Sequence, residues 1–195
     1  MRINVFESGY FRDYAITNLN SARSKVITES YQFAHISTTV FISHKHDDLE
    51  NLKDIIGFLE KEYAVKAYID SEDPQMPKIT SAETAANIKA RIKECRKFIL
   101  LATENAINSK WCNWELGYGD SVKFPNNIAL FPFKSKGTSD AQYIGSEYMK
   151  LYPYIVYRSA GEKYENGQPI QEGYYIRTEN SNGNTIVPLS EWLSK

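Results

Sequence analysis

Between residues 38 and 158 short apolar or β-branched runs alternate with amphipathic segments, and this alternation constrains the fold more than any other feature. Strands that alternate with helices build a parallel sheet with crossover connections. The first run is Thr39-Val40-Phe41-Ile42-Ser43, followed by a polar turn and a segment whose apolar positions Leu49, Leu52, Ile55, Ile56, Leu59 and Tyr63 form one helical stripe. Asp47 and Glu50 have capping-box spacing at the start of that segment. The second run is 65–70, after which 71–77, with two prolines and clustered acids, reads as a loop. Thr80 and Glu83 form a second capping-box pattern, opening a helix through Ile88, Ile92 and Cys95. The third run, Phe98-Ile99-Leu100-Leu101-Ala102, is apolar enough to be covered on both faces. A helix carrying Trp111 to Glu115 comes next, then a fourth run over 127–133, with Pro132 marking its end or an edge, and a fifth over 154–157. The expected architecture is an α/β, flavodoxin-like, five-stranded parallel sheet.

The two ends differ from this middle. Residues 1–37 read as an N-terminal extension, irregular and then helical, with no assignable motif. Residues 159–195 read as a β-rich annex packed on the same domain. Asn166-Gly167 and Asn182-Gly183 are hairpin signals, the second lying between Tyr174-Tyr175-Ile176-Arg177-Thr178 and Thr185-Ile186-Val187. A short helix or turn over 189–193 then pins Trp192 onto the body. No linker rich in Pro, Gly or Ser divides 38–158 from 159–195.

Bulk properties exclude several classes. With 195 residues, 42% hydrophobic and 24% charged, the chain is ordinary globular material. A net charge of -1 provides no broad basic field, so neither nucleic acid nor a membrane surface is an expected partner. The first nine residues lack the apolar core of a signal peptide, and no run approaches the ~18 apolar residues of a membrane span, so the expected location is cytoplasmic. The two cysteines, Cys95 and Cys112, are too few for a disulfide framework or a zinc site, and both are expected to be reduced. His44 and His46 have no carboxylate or cysteine cluster at ligand spacing, so no metal is expected. There is no glycine-rich phosphate loop and no Gly-x-Ser-x-Gly elbow.

The stretch 109–119 carries the clearest chemical pattern. Trp111 and Glu115 are four apart and Cys112 and Glu115 three apart, so on a helix they share one face, while Trp114 and Tyr118 widen an aromatic wall. Gly117 and Gly119 each cost about 1 kcal/mol inside a helix and so mark close packing, a ligand or the helix end. By spacing alone Glu115 is more readily a solvated helical glutamate, as most helical glutamates are. Ligands of open parallel sheets bind beyond the carboxyl ends of the strands. There the chain places Ser43, His44, Lys45 and His46 before a helix N-terminus able to receive an anion such as a pyrophosphate. Ser43 and Asp47 could instead merely satisfy the turn and cap the helix. Asp70 and a loop suited to a lid follow the second strand, and the Trp111 to Glu115 helix follows the third.

Val40-Phe41-Ile42-Ser43-His44, Tyr68-Ile69-Asp70 before a proline-containing loop, and Ser109-Lys110-Trp111-Cys112-Asn113-Trp114-Glu115-Leu116 together resemble a Toll/interleukin-1 receptor (TIR) domain in order and spacing. The resemblance covers about residues 38 to 158. It implies that the loop from Asp70 to Ile79 corresponds to the BB loop, which often mediates assembly in that family and here lacks the usual glycine. It also implies an activity, since the NAD-cleaving members resemble one another in a glutamate on the helix after the third strand, and Glu115 matches it. Trp111 matches the Trp-x-x-x-Glu pattern of many bacterial members. Lys45 and His46 match the polar or basic positions that face the dinucleotide.

On this resemblance NAD is the substrate, not a resident cofactor, and the activity is that of an NAD glycohydrolase or ADP-ribosyl cyclase. The pyridinium leaving group departs neutral, so one carboxylate suffices where ordinary glycoside hydrolysis needs two. Glu115 would anchor the ribose hydroxyls and stabilise the oxocarbenium-like transition state. Trp111, with Trp114, would stack on nicotinamide or wall off water. The chain is similar to stand-alone TIR proteins of Thoeris-type antiphage systems, which implies a nucleotide signal read by a separate effector and a homo-oligomer built through TIR–TIR contacts. The alternatives are a non-enzymatic TIR scaffold and a nucleoside-processing hydrolase or deoxyribosyltransferase on a similar flavodoxin-like sheet.

Overall fold

The computed structural model describes residues 3–17, 38–70, 81–180 and 183–195. Its strands are β1 (Phe6–Glu7), β2 (Thr39–Ser43), β3 (Lys66–Tyr68), β4 (Lys97–Ala102), β5 (Ile128–Lys134), β6 (Tyr154–Arg158), β7 (Gly173–Asn180) and β8 (Gly183–Pro188). The helices are α1 (Leu49–Tyr63), α2 (Ala82–Glu94), α3 (Glu104–Ile107), α4 (Lys110–Lys123), α5 (Ser146–Leu151) and α6 (Leu189–Ser194). Sheet order is β3-β2-β4-β5-β6-β7-β8, with β1 paired to β5. Strands β2 to β6 are all parallel and run in the flavodoxin order, second-first-third-fourth-fifth, as the alternation predicts.

The sheet exceeds the expected five strands because both ends of the chain join it. The β7–β8 hairpin extends it antiparallel from β6, with Val156 opposite Tyr175 and Asn180 opposite Gly183. The other hairpin signal is a small turn, closed where Tyr164 N donates to Gln168 O at 2.8 Å and Gly167 takes φ +82°. At the other end, parallel pairing of β5 with β6 is confined to Leu130 opposite Tyr154. Residues 3–7 enter the gap beyond it. Ile3 exchanges two main-chain hydrogen bonds with Tyr157, and β1 pairs with Phe133 and Lys134. Pro132 therefore does not end the strand. Pairing with β4 stops there, and β5 continues for two residues on β1.

Alternation along the strands separates two cores. Val40, Ile42, Ile99, Leu101, Ala129 and Phe131 face α1 and α6, while Phe41, Phe98, Leu100, Ala102 and Leu130 face α2 and α4. All six residues of β4 are buried. Each large apolar side chain there contributes about 1.5–3 kcal/mol through removal from water. Phe6 and Phe11 from the N-terminal segment are as deeply buried as the strands, so residues 3–17 form part of the first core. Gly57 lets that segment approach α1, since a Cβ on it would lie 1.9 Å from Tyr14 O. Trp192 on α6 lies over the Lys97 ammonium at 4.6 Å, which is the pinning contact expected of the C-terminal segment.

Two capping expectations change. The Asp47–Glu50 box does not form, because α1 starts one residue later and Asp48 precedes it without a side-chain cap. The cap of α2 is Ser81, which accepts from Thr84 N at 3.2 Å. Thr80, the proline-containing loop that the resemblance equates with the BB loop, and residues 18–37 lie outside the described residues. No helix among the described residues is long and apolar enough to cross a membrane.

Candidate active site

Ser109 closes the first turn of α4 by accepting from Cys112 N at 3.3 Å, and this sets the helix phase that carries Glu115 inward. Glu115 is 2% exposed and packs where α4 crosses the carboxyl end of β2. Ser43, the last residue of β2 and itself buried, donates its hydroxyl to Glu115 Oε2 at 2.5 Å. Oε1 is also buried and has no hydrogen-bond partner among the described residues. An unpaired buried carboxylate oxygen costs a few kcal/mol of lost solvation, so it marks a place where a ligand donor is wanted. Gly119, one turn further, packs against the Phe98 ring, whereas a Cβ on Gly117 would meet nothing within 4 Å. Of the readings open to these two glycines, close packing therefore applies to Gly119 alone.

The electrostatics follow from burial. Desolvation, and then the neighbouring negative charge of Asp70, push the Glu115 carboxyl up to about 8, against the Ser43 hydroxyl and the Trp111 indole, which favour the ionised form. Asp70 stands two residues beyond β3 and also acts on His44 and Cys112. Burial lowers the His44 imidazole below its ordinary range, and its Nδ1 lies 3.3 Å from Ile42 O. Burial raises the Cys112 thiol to about 11, so at neutral pH it is a packed thiol and not a nucleophile. The crevice thus combines one poised carboxyl with an unionised thiol, an imidazole of lowered basicity and the negative charge of Asp70.

Of the residues expected at the site, the fold brings Ser43, His44, Asp70, Trp111 and Glu115 together. Trp114 stands apart from the carboxylate. It stacks on Trp111 with ring centroids 4.9 Å apart and on Tyr118 at 6.4 Å, under the Lys89 ammonium of α2. Trp111 is therefore the link between an aromatic stack on the α2 side and Glu115. Lys45 is half-buried and His46 exposed on the turn after β2, and neither has a hydrogen bond or ion pair to Glu115. Among the described residues no group of three or more His, Cys, Asp or Glu side chains could hold a metal ion.

Sequence reasoning missed a second polar cluster beside this one. Asp48, buried in the turn after β2, accepts from Thr103 Oγ1 at 2.5 Å and from Asn105 Nδ2 at 2.8 Å. Thr103 follows the carboxyl end of β4, so the one available signal was its position beyond the strand next to β2. A groove of about 720 Å³ opens elsewhere, at the amino end of β4, and its buried cation Lys97 is already engaged by Asn127 Oδ1 at 2.6 Å and by the Trp192 ring.

Residues 40–171 match the profile of the TIR domain family. Over 140 residues, 70% of each chain, the sequence is 30% identical to a Bacillus cereus (strain MSX-D12) protein described as a probable 3' cyclic ADP-D-ribose synthase ThsB'. Over 82 residues it is 30% identical to a putative cyclic ADP-D-ribose synthase TIR2 of Cytobacillus dafuensis, a match that covers 40% of this chain and 21% of that one. A solved 2-deoxyribosyltransferase from Bacillus psychrosaccharolyticus shares 13% identity over 56% of this chain and 82% of its own, with a TM-score of 0.38. That last likeness is too low to bear on function.

Proposed function

This chain belongs to the TIR domain family, and on that premise we propose that it cleaves the nicotinamide–ribose bond of NAD and joins the released ribosyl carbon to an acceptor within the same molecule, forming a cyclic ADP-ribose. The observation that carries the reading is the Glu115 carboxylate, buried with Oε2 held by Ser43 and Oε1 unpaired. Two relatives described as cyclic ADP-D-ribose synthases support the same chemistry.

The reaction asks for little beyond this. The C1'–N bond breaks with its electron pair leaving on nicotinamide, which departs neutral, so no acid is required. The ribosyl carbon then carries the positive charge. A carboxylate in a water-poor crevice stabilises that charge far better than one in bulk solvent. Oε1 is the free acceptor for a ribose hydroxyl. With its carboxyl raised to about 8, Glu115 is also basic enough to take the proton that the accepting hydroxyl releases. Trp111, braced by the stack behind it, closes the crevice beside the nicotinamide ring. Lys45 and His46 supply positive or polar character on the adjoining turn, suited to the pyrophosphate. In this reading NAD is the substrate, the product signals to a separate effector in antiphage defence, and TIR–TIR contacts complete the site.

The test is nicotinamide release from NAD by the purified protein, with products separated by chromatography and identified by mass spectrometry. A cyclic isomer is expected, together with a specific activity that rises with protein concentration. ADP-ribose as the sole product would make the protein a hydrolase. No release at any concentration, with any activating partner supplied, would leave the scaffold reading.

A further inference from the structure

The Asp48 cluster closes a circuit of contacts around Glu115. On one side, Asp48 N donates to Lys45 O at 2.8 Å and folds the turn that begins with Ser43. The Asp48 carboxylate then receives Thr103 and Asn105 from the start of α3. Thr103 in turn caps α3, accepting from Ala106 N at 3.1 Å. The end of α3 is tied to the start of α4 by Asn113, whose amide donates to Ile107 O at 2.8 Å and Ser109 O at 2.9 Å. Helix α4 carries Glu115, and Glu115 receives Ser43. Every link but the one through Asp48 is local or lies within the site itself.

We propose that Asp48 is a positioning residue for the Glu115 site, clamping the turn that carries Ser43 to the start of α3 and so setting how Ser43 meets the carboxylate. The proposal rests on Glu115 being the catalytic carboxylate. Asp48 itself is 6% exposed and its Oδ2 and Oδ1 already accept from Thr103 and Asn105, so burial keeps it from substrate. Its contribution is geometric. A buried carboxylate held by two donors is stiff, and a displacement of about 1 Å at a reacting group can cost a hundredfold in rate.

Three variants test this in the intact protein. Asp48→Asn turns one acceptor into a donor and leaves Thr103 or Asn105 facing it without a partner. The double exchange Asp48→Asn with Asn105→Asp reverses the direction of that hydrogen bond and restores both. Asn105→Ala, at an exposed position, removes one donor without altering Asp48 and covers the case in which Asp48→Asn does not fold. Expected for Asp48→Asn is a fall in kcat for nicotinamide release of about tenfold to a hundredfold, with KM for NAD little changed. The double exchange recovers most of it, and Asn105→Ala shows a smaller fall.

A second readout does not need the enzyme reaction. Carbon-detected NMR titration of the Glu115 carboxyl should give a higher midpoint in Asp48→Asn and Asn105→Ala, because the Ser43 donor is less well held. Asp70 after β3, His44 on the turn and Cys112 on α4 are the ionisable groups facing Glu115, and Asn105→Ala keeps the Asp48 charge that acts on His44, so its shift reads geometry alone. The midpoint returns in the double exchange. If thermal stability falls while the folded variants keep both kcat and the midpoint, Asp48 is structural only and the proposal is overturned. If wild type releases no nicotinamide, the catalytic reading of Glu115 fails instead, and the titration still decides the role of Asp48.

Discussion

Ser43 Oγ stands 2.5 Å from Glu115 Oε2, joining two residues 72 positions apart. One ends β2 and the other lies in the second turn of α4, so the bond spans the crevice at the carboxyl edge of the sheet. It also makes the carboxylate asymmetric, with one oxygen held and the other unpaired. An anion organised in this way suits a ribosyl cation on its open side.

Replacing that anion gives the sharpest expectation. Glu115→Gln keeps the shape and removes the charge, and nicotinamide release should fall on the order of a thousandfold. Stability should move the opposite way at high pH. In the folded protein the carboxyl is raised from its ordinary 4.5 to about 8, so it keeps a proton that the unfolded chain has released. That stabilisation is complete below the unfolded value and is lost as pH rises through the folded one. Above pH 8 the glutamine variant should therefore be the more stable, on the order of several kcal/mol. Melting curves at pH 5 and pH 9 check this, and a variant–wild-type difference that does not grow with pH would contradict it.

The same ionisation shapes the rate. For the free enzyme, kcat/KM should rise with pH to a midpoint near the 8 of Glu115, because the ionised form is the active one. Bound NAD brings a cationic ring next to the carboxylate and favours its charge, so the midpoint in kcat should lie lower. Activity that falls with pH over this interval would exclude a carboxylate as the working form.

Ser43→Ala removes the one hydroxyl that holds Oε2. Leaving a buried acceptor unsatisfied costs about 1–3 kcal/mol, so kcat should drop about tenfold. The pH midpoint should move upward, since the lost bond favoured the ionised form. A variant with reduced KM effects only, and an unmoved pH profile, would place Ser43 in substrate binding instead.

Two glycines separate packing from propensity. Gly57→Ala places a Cβ 1.9 Å from Tyr14 O, so α1 and the N-terminal segment must part, at a cost of about 3 kcal/mol. Gly117→Ala meets nothing within 4 Å and should stabilise α4 by about 0.5–1 kcal/mol. Thermal unfolding of both variants measures the contrast, and equal effects would mean that the close approach at Gly57 is not rigid.

The parallel core was legible because each helix buries one stripe and each strand alternates faces. Leu52, Ile55, Ile56 and Leu59 announce α1 without reference to any other residue, and all four are buried. The entry of residues 3–7 between β5 and β6 was not legible. A two-residue strand is selected by main-chain groups of Phe133, Lys134 and Tyr157 that a parallel pair left unpaired, and no side-chain pattern encodes it. The capping box at Asp47 and Glu50 failed for a related reason. The turn is organised by Asp48, whose carboxylate accepts from Thr103 and Asn105 and not from the helix end.

Periodicity and side-chain chemistry are local properties, and they determined the alternating core, the face of α4 that carries Trp111 and Glu115, and the set of polar groups at the strand ends. Which of those groups touch was decided by the order of the strands. Placing β2 beside β4 brings Ser43 to Glu115 and Asp48 to Thr103, over separations of 72 and 55 residues. The ionisation of Glu115 belongs to the tertiary structure as well, because it is set by how much water the fold removes and by which charge it leaves nearby.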